Sequence, residues 1–334
     1  MHRPDSVLPQ PPRLKRRSVL AAAASLGMAW AAPAWAQALP ADATIHLVVP
    51  TTPGSTPDVL ARAIAPQLTR KWERTVVVEN RIGASGSIGT EYVSRAAPNG
   101  TTLLMAASTL ATRASLQANK AFDARRDLTP IVQAGWTRLV LVTHPGTGWT
   151  RIGDVITAAR KAPGKYVYGS PGNGTPNHLA AELFKVKTGT FILHIPYRGS
   201  GPQITDVLGG QIDLAPITII AAAPHVKAGK LVALAVTGSK RSALLPGLPS
   251  LAEAGVPGVE GDIWYGLFGP RGMAPELVAR LNADVREALE AEARSFAAQG
   301  IDIETGTPQA FQQLLATDTA RWTELVKLQG IKPD

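Results

Sequence analysis

The sequence predicts an α/β protein built on a mostly parallel sheet flanked by helices. Short apolar, β-branched runs alternate with longer runs of helical period from Ile45 onward, which is the βαβ pattern. Two of the helical runs also open on the same threonine–proline pair after a short strand and a glycine-bearing loop.

The strands are expected, in order, at IHLVVP (from Ile45), TVVVEN (Thr75), TTLLMA (Thr101), RLVLVTH (Arg138), KYVYGS (Lys165), FILHIPY (Phe191), IDLAPI (Ile212), LVALAVTG (Leu231) and IWYGLFGP (Ile263). Each is short, rich in β-branched or aromatic residues and bounded by turn formers. Helices fill the intervals at Pro57 to Trp72, Ile152 to Ala162, Pro176 to Thr188, Pro202 to Leu208, Pro275 to Ala298 and Pro308 to Leu328. The last two long runs are amphipathic, with Leu281, Val285 and Leu289 on one face.

The first thirty-six residues differ from the rest. Arg13, Lys15, Arg16 and Arg17 precede an alanine-rich apolar run from Val19 to Ala32, and Ala34, Trp35 and Ala36 follow. This is a signal peptide, with cleavage expected before Gln37 and export to the periplasm. The Arg16–Arg17 pair resembles a twin-arginine signal. Removing the segment lowers the formal net charge from +9 to +5, with 29 basic against 24 acidic residues. That balance favours anionic solutes, and it lacks the clustered basic stripe of a nucleic-acid binder.

With 334 residues, the chain is long enough for two domains. The absence of cysteine excludes disulfides, thiolate metal sites and a cysteine nucleophile. The apolar stretch Leu214 to Ala223 is interrupted by Pro216 and bounded by Pro224, too short to span a bilayer.

Thr56, Pro57, Asp58, Val59, Leu60 and Ala61 match Thr175, Pro176, Asn177, His178, Leu179 and Ala180. Each threonine suits an N-cap, and a helix N-terminus with its unpaired N–H groups and dipole attracts an anion. Gly54, Gly172 and Gly174 permit close backbone approach. Asp58, expected at the second helical position, complements the dipole. A third loop, from Pro196 to Pro202, offers Tyr197, Arg198 and Ser200. Catalytic signatures are missing. Gly83, Ala84, Ser85, Gly86 and Ser87 do not complete a nucleophile elbow, no Walker lysine follows a glycine-rich loop, and His144, His178, His194 and His225 lack metal-ligand spacing. No catalytic residue, cofactor or metal is therefore expected.

The segments VVPTTPGSTPDVLARAIA, VVVENRIGASGSIGTEYV, PGKYVYGSPGNGTPNHLAAELF, HIPYRGSGPQITDVLGGQIDL, HVKAGKLVALAVTGSKRSALLPGLPSLAEAGVPG and IWYGLFGPRGMAPELVARLN, in this order, resemble the Bug, or tripartite tricarboxylate transporter (TTT), receptors. The resemblance covers essentially the whole mature chain. It implies a type II periplasmic-binding-protein fold, with two Rossmann-like domains, a double-crossover hinge and a ligand cleft between them. The crossings fall near Arg138 and Asp262, giving residues 37–137 plus 263–334 as one domain and 138–262 as the other.

The resemblance further implies ligand contacts at Thr51, Gly54, Ser55, Asp58, Ala84, Ser108, Ser170, Gly174, Thr175, His178 and Tyr197. The expected mechanism binds a carboxylate on amides at the two helix starts, with hydroxyl donors from Ser170 and Thr175. The family usually has phenylalanine and a second proline where Thr51 and Thr52 stand, and a second glycine in place of Ser55. It has a second glycine pair where Ser85 stands, and a phenylalanine–aspartate pair where Pro216 and Ile217 stand. The last change removes an acid able to meet an amine and favours a simple carboxylic acid. The implied partners are a small organic acid and the permease subunits of a tripartite tricarboxylate-type transporter, for a monomeric receptor. Two alternatives stay open: an enzyme acting on an anion in the same cleft, and a receptor that reports to a membrane signalling partner.

Overall fold

The computed structural model describes Leu39, residues 42–116 and residues 122–332. The signal segment 1–36 and its cleavage point lie outside the described residues.

The first lobe opens with β1 (Ile45–Val49), α1 (Thr56–Trp72), β2 (Val76–Asn80), α2 (Ser87–Ser94), β3 (Thr102–Ala107) and α3 (Thr109–Leu116). A short helix α4 (Ala124–Asp127) then leads into β4 (Leu128–Thr137). β1 lies between β2 and β3, parallel to both, and buries Ile45, Leu47, Val48 and Val49, as a strand covered on both faces requires. Because the chain leaves β1 for β2 and returns to β3 on the other side, the strand order reverses there. The carboxyl ends of the strands at such a reversal, here β1 and β3, are where open α/β sheets take ligands.

After Thr137 the chain enters the second lobe. Its elements are β5 (Leu139–Thr143), α5 (Ile152–Lys161), β6 (Val167–Ser170), α6 (Pro176–Thr188), β7 (Leu193–Pro196), α7 (Ser200–Leu208), β8 (Ala215–Thr218), α8 (Ile219–Lys227) and β9 (Val232–Val236). β5 pairs antiparallel with β8 and β9, while β6 and β7 are parallel. The Gly169 N–H donates to the Leu214 carbonyl at 3.0 Å and joins the two groups into one row, β7-β6-β8-β5-β9.

The chain returns as β10 (Ile263–Pro270), α9 (Pro275–Ala291), α10 (Ala293–Ala298), β11 (Ile301–Asp302) and α11 (Pro308–Gln329). β10 lies antiparallel between β3 and β4, with Ile263 opposite Thr137 and Trp264 opposite Trp136. The outgoing and returning strands are thus hydrogen-bonded neighbours. An ion pair between the Arg138 Nη1 and the Asp262 carboxylate ties the two crossings, and the Thr237 hydroxyl donates to Asp262 Oδ1 at 2.6 Å.

Every expected strand forms. The long run from Pro275 breaks at Glu292 into α9 and α10, and α7 starts two residues early at Ser200. No helix among the described residues is long and apolar enough to cross a membrane.

Candidate functional site

Thr51, Ala84 and Ser108 follow the carboxyl ends of three adjacent parallel strands, β1, β2 and β3. The loop after β2 folds over the exit of β1: the Arg81 N–H donates to the Val49 carbonyl at 2.9 Å, and a Cβ at Gly89 would lie 3.1 Å from Pro50. Ala84 holds φ at +46°, a left-handed conformation that costs a non-glycine residue roughly 1–2 kcal/mol. The Thr51 and Ser55 hydroxyls lie 2.6 Å apart. Two hydroxyls sharing one bond keep a second hydrogen for an acceptor outside the pair. Ser108 is 1% exposed and its hydroxyl has no hydrogen-bond partner among the described residues.

Helix α1 begins at Thr56 with Ser55 as its N-cap, because the Val59 N–H bonds the Ser55 carbonyl at 2.9 Å. The cap is therefore one residue earlier than expected, and Asp58 is the third helical residue, not the second. Its carboxylate accepts the Gly54 N–H at 2.9 Å, Arg62 Nε at 2.9 Å and Asn80 Nδ2 at 2.8 Å. Burial, to 2% exposure, opposes ionisation, but these donors outweigh it and hold the carboxyl below the usual carboxylate range. Asp58 shapes the loop from beneath.

The second lobe repeats this device. Thr175 is the N-cap of α6, and its hydroxyl accepts the His178 N–H at 3.3 Å while donating to the Gly172 carbonyl at 2.8 Å. His178, again the third helical residue, takes the Gly174 N–H on Nδ1 at 2.9 Å. Gly54 and Gly174 match in conformation, at φ +78° and +68°. The structural equivalence therefore pairs Ser55 with Thr175, one residue out of step with the sequence match.

His178 is 3% exposed and stacks on His194 at 4.0 Å, which stacks on Tyr168 at 4.8 Å. Burial first, then the nearby Lys185 charge, push His178 down to about 4, so it is neutral at pH 7, as an acceptor at Nδ1 must be. The Ser170 hydroxyl is 2.7 Å from His194 Nε2 and accepts the Gly172 N–H at 3.2 Å. The Ser170 and Thr175 hydroxyls, expected as ligand donors, here hydrogen-bond to Gly172, His194 and His178. The Tyr197 hydroxyl likewise donates to Asp206 Oδ2 at 2.6 Å; burial, then that hydrogen bond, push its phenol up to about 12.

The second-lobe loop meets the first lobe through α3, since a Cβ at Gly174 would lie only 1.7 Å from Leu116 Cδ1. Of the expected residues, Thr51, Gly54, Ser55, Asp58, Ala84 and Ser108 follow strands β1 to β3, and Ser170, Gly174, Thr175, His178 and Tyr197 lie at the end of β6, in the loop and first turn of α6, and after β7. Sequence reasoning missed Arg62, Asn80 and Leu116. A separate cavity of about 250 Å³ lies beside the crossings, lined by Trp136, Arg138, Asp262, Asp318 and Arg321 among others, and contains none of the expected site residues. No group of three or more metal-ligating side chains occurs among the described residues.

Two α/β lobes joined by paired crossings, each with a glycine loop leading into a capped helix, form the architecture of periplasmic binding proteins. A family model described as Tripartite tricarboxylate transporter family receptor matches residues 60–331. The chain is 36% identical to Protein BugT of Bordetella pertussis (strain Tohama I) across 90% of its own length and 94% of the relative's. Among solved structures, R. palustris Rpa4515 with adipate shares 34% identity at TM-score 0.76, over 87% of this chain and 98% of that one. MatC from Rhodopseudomonas palustris with bound malate shares 26% at 0.70, over 85% and 98%. The chain belongs to the tripartite tricarboxylate transporter receptor family, whose members are periplasmic solute receptors.

Proposed function

We propose that this protein, exported and cleaved before Gln37, captures a small organic carboxylate between lobes 37–137 plus 263–334 and 138–262, without turnover, and delivers it to a tripartite tricarboxylate-type permease. The observation that carries the reading is the Ser108 hydroxyl. A buried hydroxyl without a partner costs about 1–3 kcal/mol, and its complement here is an oxygen acceptor arriving from outside the chain. In this reading the second hydrogen of the Thr51–Ser55 pair, the backbone at Ala84 and the first turn of α1 supply further donors to the same acceptor. The adipate and malate bound by structural neighbours are acids of the class such donors would hold.

In this reading Asp58, Gly54, Ser170, Gly174, Thr175, His178 and Tyr197 act as the frame that presents the first-turn amides of α1 and α6. Closure of the second lobe completes the site, driven by the ligand's tighter binding to the closed form. The test is a thermal-shift screen of the mature chain against carboxylates, amino acids and neutral sugars, repeated with Ser108→Ala. The expected result is stabilisation by carboxylates alone. Ser108→Ala should melt no lower than the parent yet bind about ten-fold more weakly. Stabilisation by neutral sugars only would overturn the proposal.

A further inference from the structure

We infer that three ion pairs at the cavity beside the crossings form a clasp that holds the lobes at the angle of this structure, so that residues remote from the ligand set part of its affinity. The affinity rests on the receptor reading above; the lobe angle does not. The cavity is walled by both lobes, with Trp136, Leu314 and Arg321 from the first and Gly238, Lys240 and Glu260 from the second. Arg321 Nη1 donates to Glu260 Oε2 at 3.2 Å, Lys240 Nζ stands 3.9 Å from Glu304 Oε2, and Arg138 Nε stands 3.4 Å from Asp302 Oδ2. In each pair one member belongs to the first lobe and the other to the second or its crossing.

Two of the three cations are fixed before they reach across. Arg321 Nη2 donates to Asp318 Oδ1, and that carboxylate, 5% exposed, takes the Trp264 indole N–H on Oδ2 at 2.9 Å. The Arg321 guanidinium also lies over the Trp322 ring, 4.3 Å from its centroid. Arg138 is bound to Asp262 at the returning crossing. A guanidinium already ordered gives up little rotamer freedom in making a further bond, which lifts these pairs above the usual worth of an exposed ion pair. Lys240 and Glu304 are each more than half exposed, and theirs is the weakest of the three. The direction of the effect follows from the site. The conformation that forms these pairs also sets Leu116 of the first lobe against Gly174 of the second, so the clasp favours lobes in contact. A ligand held by both lobes selects that same conformation, and what stabilises it raises affinity.

The experiment places spin labels at the exposed positions Arg294→Cys and Lys161→Cys, one on each lobe of a chain that has no cysteine of its own. The label distance is measured in the parent, in Glu260→Gln, in the Glu260→Gln/Glu304→Gln double variant and in a control, Glu287→Gln, whose partner Lys71 lies in the same lobe. Melting curves report folding. The clasp variants should shift the distance distribution away from the parent's, and the control should not. Titration calorimetry with adipate and malate, on the unlabelled chains, should show affinity about two- to five-fold lower for Glu260→Gln and lower again for the double variant, with the control unchanged. The gap between parent and variants should narrow as salt is raised. Superimposable distances for the parent and a folded double variant overturn the inference, and so does undiminished affinity in that variant. A parent that binds neither acid counts against the receptor reading alone, and the distances still decide the clasp.

Discussion

Asp58 and His178 occupy equivalent places in the two lobes: each is the third residue of its helix, and each accepts, at 2.9 Å, the N–H of the glycine four residues before it. One is an ionised carboxylate and the other a neutral imidazole, so the same geometry is maintained by opposite electrostatic means. Both hold a left-handed glycine and with it the loop that faces the cleft.

Asp58→Ala deprives Gly54, Arg62 and Asn80 of their common acceptor. Hydrogen bonds to a charged group each contribute about 1.5–3 kcal/mol, so the variant should lose about 2–4 kcal/mol in urea denaturation and bind ligand more weakly. Asp58→Asn keeps one acceptor oxygen for the Gly54 N–H and should lose less. An alanine variant as stable as the parent would contradict the framing role.

The pH dependence follows from His178. Its folded pKa lies near 4, below the ordinary 6.5, so as pH falls below 6.5 the unfolded chain takes up a proton that the folded chain refuses. Stability contributed by the neutral imidazole is therefore present above pH 6.5 and is lost toward pH 4. Between pH 6.5 and about 5 the loss should reach about 2 kcal/mol. His178→Asn, whose side-chain oxygen can take the Gly174 N–H, should show a flatter profile across that window in chemical denaturation. Identical slopes for the two proteins would refute the assignment.

Gly54→Ala and Gly174→Ala separate conformation from contact. Both force a side chain onto positive φ, at roughly 1–2 kcal/mol. A Cβ at residue 54 meets nothing within 4 Å, whereas one at 174 drives into Leu116. Gly174→Ala should thus be the more damaging, and the double variant with Leu116→Ala should recover the difference in melting temperature. Equal melting temperatures for the two single variants would show that the lobes do not meet there.

Much of this was legible in the sequence, and the misses have physical causes. Strands such as IHLVV and LVLVT announce themselves because they are apolar on both faces. β4 does not, since Pro130, Gln133 and Gly135 break its run, and only its pairing with β10 on one side and β11 on the other makes it a strand. α8 carries Pro224 within it, and α3 mixes small and polar residues with little period, so Leu116 was hidden along with its helix. At the site, the glycines and caps were readable from local turn chemistry. The roles of Asn80 and His194 were not, because each acts across twenty or more residues of sequence.

The crossings should respond as a unit. Arg138 and Asp262 are both buried, and removing one partner of a buried ion pair strands the other's charge at about 3–5 kcal/mol. Asp262→Ala is expected to lower the melting temperature far more than Asp302→Ala, whose carboxylate stands 3.4 Å from Arg138 Nε and is half-exposed. Similar melting of the two variants would place the tie elsewhere.

The adjacency of β4 and β10 has a topological consequence. Because the chain departs and re-enters on neighbouring paired strands, everything from β5 through β9 is one uninterrupted loop-out from a sheet that needs none of it to complete its own pairing. The hydrogen bonding of the six-stranded sheet is thus closed across the Thr137–Ile263 rung without any contribution from the inserted strands.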